Sequence, residues 1–294
     1  MPQIQQKTGL VMEGGAMRGL FSAAVLDVLT EENINLDAMI GVSAGATFGC
    51  NYITHQPGRA LRYCLRYRLD PRFCSVFSLL LTGDMFGAEF CYHTLPEKLD
   101  PIDNQAFLER GIPFYVVATD VNTGKAVYHL CRDVISKDEL EWIRASASMP
   151  LASRIVKVGG REMLDGGISD SVPLKYFEYK GFRKNVVVLT QPEGYRKQPN
   201  SMMPLIRKVY RKYPALIEAM QRRHLLYNRQ IEYVEQAAKR GDVLIIRPPE
   251  ILPVSHTSHS AAKLKKVYAY GRETAIRMLP EIRSFLETKE RERL

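Results

Sequence analysis

The 294-residue sequence predicts an α/β fold built on a mostly parallel sheet. Three observations carry that expectation: short apolar runs end in glycine-rich turns, stretches of helical period follow those turns, and the alternation repeats along the chain. Residues 8–19, TGLVMEGGAMRG, pass from an apolar strand into a turn. LFSAAVLDVLTEEN (20–33) then has apolar residues at helical spacing, Leu20, Ala23, Ala24, Leu26 and Val28/Leu29. A second unit follows at once, with DAMIGV (37–42) as a buried strand, Ser43 at its C-terminal end, and AGATFGCNYIT (44–54) as a helix. Further strands are expected at 112–119, 125–130, 185–190 and 242–248. RIVKVGGREMLDGG (154–167) reads as a hairpin turning on Gly159-Gly160. Residues 202–240 read as helical and strongly basic, and the chain from His259 to Leu294 as helical again, with Pro248, Pro249 and Pro253 punctuating the join. The expected organisation is a core over 1–190 and a basic, mainly helical region over 191–294 packed on it as part of one α/β unit.

Composition fits a globular chain, with 46% hydrophobic and 25% charged residues. The net charge of +9 is unevenly placed: residues 1–179 carry 17 Lys and Arg against 21 Asp and Glu, and residues 180–294 carry 24 against 11. Such asymmetry points to an anionic partner or to a solvated helical surface in the second half. The five cysteines, Cys50, Cys64, Cys74, Cys91 and Cys131, are odd in number and form no CxxC pair. A disulfide framework or zinc site is not expected, and a reducing cytoplasm is, with peripheral contact at the inner face of the membrane. The apolar stretch at 73–83 is too short to span a bilayer.

The chemistry centres on GVSAG at 41–45. A serine between Gly41 and Gly45, at a strand-to-helix turn, is exposed to substrate and faces the amides of the following helix. EGGAMRG (13–19) is a second strand-to-helix turn, in which Gly14 and Gly15 can offer successive N–H donors to an oxyanion. As a Walker loop, Gly14 to Gly19 lacks the following Lys and Ser/Thr; as a dinucleotide fingerprint it has Ala16 in place of the middle glycine, and Asp37 precedes the second strand. None of His55, His93, His129, His224, His256 and His259 sits in the context of a triad histidine. LDGGISDSVP places Asp165 at a strand end before Gly166 and Gly167, where a desolvated carboxylate serves as a base or the segment is a plain turn.

These three elements, in this order and spacing, resemble the patatin-like phospholipases. VVATDVNTG (116–124) and RASASMP (144–150) also match that family's pattern, and the resemblance runs over about residues 8–190. It implies a three-layer α/β/α sandwich and a Ser–Asp dyad without histidine: Ser43 as nucleophile, Asp165 as general base, and the amides around Gly14, Gly15 and Ala16 as the oxyanion hole. Arg18 then holds the loop, meets an anionic headgroup, or forms a surface salt bridge; Asp120 braces its turn; Ser146 and Ser148 are helix and turn polar groups. The family's Asp-Gly-Gly-Gly is here Glu13-Gly14-Gly15-Ala16, so Ala16 adds a methyl where a third glycine belongs.

The expected activity is therefore two-step hydrolysis of fatty-acyl esters, with no metal or cofactor. FCSVFSLLLTGDMF (73–86) and GAEFCYHTL (87–95) are expected to line an acyl channel, form a lid, or lie in the core. The mixture of Arg, Lys, Tyr, Leu and Met at 207–229 suits docking on an anionic membrane. Nucleic acid is disfavoured, since no binding module is recognisable. Two other classes stay open, a nucleotide-binding α/β enzyme using Gly14–Gly19 and a catalytically silent lipid-binding module, with an ordinary α/β-hydrolase as a near neighbour.

Overall fold

A computed structural model describes residues 7–287. Its strands are β1 (Thr8–Met12), β2 (Ala38–Val42), β3 (Phe114–Asp120), β4 (Ala126–Cys131), β5 (Val156–Val158), β6 (Arg161–Asp165), β7 (Lys184–Val188) and β8 (Val243–Ile246). Its helices are α1 (Gly19–Glu31), α2 (Ala44–Ile53), α3 (Arg59–Tyr67), α4 (Val76–Thr82), α5 (Asn104–Arg110), α6 (Lys137–Ser146), α7 (Leu174–Tyr179), α8 (Met203–Val209), α9 (Pro214–Lys239) and α10 (Ala261–Glu287), with a π-helical segment at Phe90–Leu99.

The strands form one mixed sheet in the order β5-β6-β3-β2-β1-β7-β8, with β4 also paired to β3. The pairs β3–β2, β2–β1, β1–β7 and β7–β8 are parallel, whereas β4, β5 and β6 pair antiparallel. Strand alternation explains the layers. Leu10 and Met12 of β1 point into a core closed by α1, α2, α3, α5 and α10, while Val11 between them points into a second core closed by α7 and α9. Burial of each large side chain, such as Phe21, Phe114 or Phe177, contributes about 1.5–3 kcal/mol. The result is the α/β/α sandwich.

The β5–β6 hairpin turns on Gly159 and Gly160, both at positive φ (57° and 70°), which a two-residue turn of this hand requires. The stretch expected as helical over 202–240 forms two helices, α8 and α9. The chain breaks at 210–213 because Pro214 cannot donate within a helix and is suited to a first turn. The last helix among the described residues is α10, and residues 288–294 of the expected helical tail lie outside them. The apolar α4 is not a core helix: Val76, Phe77, Leu80 and Leu81 are exposed. Among the described residues, no helix is long and apolar enough to cross a membrane.

Candidate active site

The sheet register brings Ser43 and Asp165 together. On one edge of β3, Val42 of β2 pairs with Val117. β4 pairs with residues 114–119 along the opposite edge, so β6, which pairs with 118–120, must share the edge of β2. β6 therefore takes over where β2 ends, placing Asp165 opposite Ala118, one position beyond the partner of Val42. Ser43 leaves β2 at that same point.

Ser43 stands at φ 54° and ψ −122°, a strained conformation for a residue with a Cβ. Its N–H donates to Ser146 Oγ at 2.8 Å, so α6 holds the turn from outside. Gly41 and Gly45 flank the serine on the strand and helix sides, and Gly19 starts α1 against Ala44 and Phe48. Across the turn lies the 13–16 loop. A Cβ on Gly14 would stand 2.7 Å from Ser43 Cβ and 2.9 Å from Val42 O, so only glycine lets the loop approach this closely. The backbone N–H groups of Gly14, Gly15 and Ala16 donate to no acceptor among the described residues. Ala16 sits at φ 47°, in the left-handed region where its methyl costs about 1–2 kcal/mol. Glu13 fixes the base of the loop: its carboxylate accepts from Thr190 N at 2.6 Å and from Tyr227 Oη at 2.8 Å.

Asp165 is buried, and its strand position is held by Ser148 O, which accepts from Asp165 N at 2.8 Å. The carboxylate accepts from Gly167 N at 2.7 Å, the turn that Gly166 and Gly167 make after β6. Burial pushes its pKa above the ordinary carboxylate value; the Arg223 charge, the hydrogen-bonding Ser43 hydroxyl, the Gly167 amide and Lys197 act against that rise. Asp120 braces its own turn, accepting from Asn122 N and Thr123 N and pairing with Arg161. Ser148 Oγ donates to Arg144 O.

Two cavities open on Ser43. One is apolar, lined among others by Phe48, Tyr63, Phe73, Phe86, Tyr92 and Ile143, so residues from both stretches expected as channel or lid contribute to it. The other, of about 290 Å³, is polar and contains Asp165, Arg18, Lys197, Arg223, Tyr227 and His256. Among the described residues Arg18 makes no salt bridge; its Nη1 lies 3.3 Å from His256 Nε2. Burial and the charges of Arg18, Arg223 and Lys197 lower the His256 pKa, leaving a neutral ring to accept from Arg18. No histidine hydrogen-bonds Ser43 or Asp165 among the described residues. Sequence reasoning missed Lys197, Arg223 and His256 as neighbours of the serine; their only signal was the basic charge of the second half. His129, Cys131 and Glu139 lie close enough together to hold an ion, but none of them lines either cavity.

The family model of patatin-like phospholipases matches residues 10–178, and a model described as a domain of unknown function matches residues 213–287. Over 271 residues the sequence is 27% identical to the uncharacterized protein YjjU of Escherichia coli (strain K12), covering 90% of this chain and 75% of that protein. It is 27% identical over 271 residues to lysophospholipase nte1 of Aspergillus terreus and 25% identical over 286 residues to that of Aspergillus niger. Those alignments take in 83% and 90% of this chain but 16% and 18% of the longer relatives. Among solved structures, VipD from Legionella pneumophila aligns with 95% of this chain and 67% of its own, at 13% identity and a TM-score of 0.47.

Proposed function

The chain belongs to the patatin-like phospholipase family, whose membership supports a lipid acyl hydrolase, and we propose that it cleaves fatty-acyl esters through a Ser43–Asp165 dyad. The observation that carries this reading is the meeting of a strained serine, a buried carboxylate and three undonated amides at one strand edge. Asp165 takes the hydroxyl proton as Ser43 Oγ attacks the acyl carbonyl. The amides of Gly14, Gly15 and Ala16 face the oxygen on which negative charge develops. Collapse expels the alcohol, which recovers the proton from Asp165, and water then releases the acid by the same route. The raised pKa of Asp165 makes it a stronger base than an exposed aspartate. The apolar cavity suits the acyl chain.

Residues 191–287 form one unit with the core in this reading, since β8 pairs with β7 and α9 supplies Arg223 and Tyr227 to the polar cavity. Peripheral contact with an anionic membrane is supported by α8 and its flanks. There Met202, Leu205 and Val209 are exposed beside exposed Arg207, Lys208, Arg211 and Lys212. Family membership lends no support to the nucleotide-binding or silent-module alternatives. The test is a panel of acyl esters assayed with the native protein and Ser43→Ala: the variant should keep its melting temperature and lose at least about 10³-fold in kcat. Retention of hydrolysis by Ser43→Ala overturns the proposal.

A further inference from the structure

We propose that His129, Cys131 and Glu139 form a Zn²⁺ site that ties α6 to β4. The site lies outside both cavities and takes no part in the ester chemistry. Its role is to fix the helix that holds the serine turn.

Strand alternation brings the three residues together. Tyr128 of β4 stacks on Tyr176 of α7, so Val127, His129 and Cys131 face the other layer, where Val127 packs with Trp142 and Ala145 of α6. Glu139 stands in the first turn of α6, above that strand face. A ring nitrogen of His129, the Cys131 sulfur and a Glu139 carboxylate oxygen all lie within 4.8 Å of one another. Tetrahedral zinc, with bonds of about 2.0–2.3 Å, sets its ligand atoms about 3.3–3.6 Å apart. His129 Nε2 and Glu139 Oε2, now 2.6 Å apart, would open by about 0.7 Å to admit the ion.

The donor set names the metal. Imidazole, thiolate and carboxylate together suit zinc, whereas the thiolate disfavours magnesium and calcium. Cys131 and Glu139 are buried, and the His129 side chain keeps 21% of its surface exposed, which leaves an entry path. Among the described residues no Lys or Arg pairs with Glu139; its side-chain partners are His129 and the Cys131 thiol. A dry carboxylate beside two further metal ligands, and beside no fixed cation, gains most from a divalent ion. The His129 ring is oriented in advance by stacking on Trp142, with centroids 4.4 Å apart and planes at 7°. The spacing His129-x-Cys131, with Glu139 eight residues further on, has no CxxC pair, so cysteine spacing gave no sign of it.

Binding sends the thiol proton to solvent and leaves the His129 ring proton on Nδ1; no electrons change hands. Three protein ligands leave a fourth position for water, so the ion is exchangeable. Its leverage on the serine runs along α6. Ser146, seven residues or about 10.5 Å along the helix from Glu139, accepts from Ser43 N at 2.8 Å. Leu140 and Ile143 of the same helix line the apolar cavity.

The test uses the full chain, stripped with a chelator, returned to chelator-free buffer with a non-thiol reductant, and titrated with Co²⁺. One equivalent should produce a thiolate-to-cobalt charge-transfer band and quench Trp142, the single tryptophan of the sequence. One equivalent of Zn²⁺ should abolish both signals. Cys131→Ser should lose the band, and Glu139→Gln and His129→Asn should each weaken binding at least about 100-fold. His129→Asn changes a partly exposed position and guards against a folding defect in the glutamate variant. With free Zn²⁺ held at ten times its Kd, amides of residues 137–146 should exchange with solvent about 10-fold more slowly than in the stripped protein. Cobalt binding without the band, a band that survives Cys131→Ser, or affinity unchanged in His129→Asn overturns the site. Exchange of the α6 amides that ignores zinc overturns its role as an anchor.

Discussion

Replacing Gly14 by alanine perturbs the proposed oxyanion loop with a single methyl. The new Cβ would meet Ser43 Cβ at 2.7 Å and Val42 O at 2.9 Å, both belonging to a turn that cannot swing aside. Retreat from 2.7 Å to ordinary contact at 3.4 Å requires the loop or the serine to move by about 0.7 Å, beyond the roughly 0.5 Å within which a catalytic constellation must be held. Displaced donors of this kind cost about 10²–10³ in kcat, or some 3–4 kcal/mol. Crowding adds about 1–3 kcal/mol of lost stability. Gly111→Ala is the control. Gly111 has φ 56° and open space around its Cβ position, so alanine there costs about 1–2 kcal/mol of backbone strain away from the site. Steady-state kinetics on a soluble acyl ester, with melting curves for both variants, separate the effects: both lose stability, and only Gly14→Ala loses kcat. If folded Gly14→Ala keeps kcat within about threefold of the native value, the placement of the loop is wrong.

Other consequences are open to direct measurement. A protonated Asp165 cannot accept the serine proton, and burial raises its pKa, so kcat/KM should fall on the acid side with a midpoint above 3.8. Because Arg223 is the largest influence opposing that rise, Arg223→Gln should move the acid limb of a neutral ester's profile to higher pH, and an unmoved limb contradicts the assignment. Asp27, buried beside α10 and accepting from Tyr268 and Gly58, has its pKa raised to about 6. Its folded-state proton stabilises the protein below pH 3.8 and is lost as pH rises through about 6, a change of about 3 kcal/mol. The melting temperature of Asp27→Asn should therefore vary less with pH across this window than that of the native protein, as scanning calorimetry would record. Sedimentation with anionic vesicles should recover the protein at low salt and lose it as ionic strength rises, while binding that ignores salt excludes the proposed contact through Arg207, Lys208, Arg211 and Lys212.

What could be read from the sequence was local. GVSAG, EGGAMRG and LDGG each declare a strand end and a turn within a few residues, because glycine and small residues are demanded by backbone angle and by close approach. The alternation of apolar runs and helical stretches likewise gave the sheet and its covering helices. The break before Pro214 carries its own signal in the sequence, the proline itself. The antiparallel insertion of β6 beyond the end of β2 had none, since register with β3 depends on pairings more than forty residues apart. Lys197, Arg223 and His256 were illegible for the same reason: a lysine in a loop, an arginine on a basic helix and a histidine in a polar segment become neighbours only when β7, α9 and the chain before α10 converge on the strand ends.

The dyad is tested most directly by the rate and site of labelling with a fluorophosphonate, read by mass spectrometry on native and Asp165→Asn protein. The account predicts an adduct on Ser43 and a labelling rate at least about 10²-fold lower in the variant. An adduct on another residue, or an undiminished rate in Asp165→Asn, would contradict it.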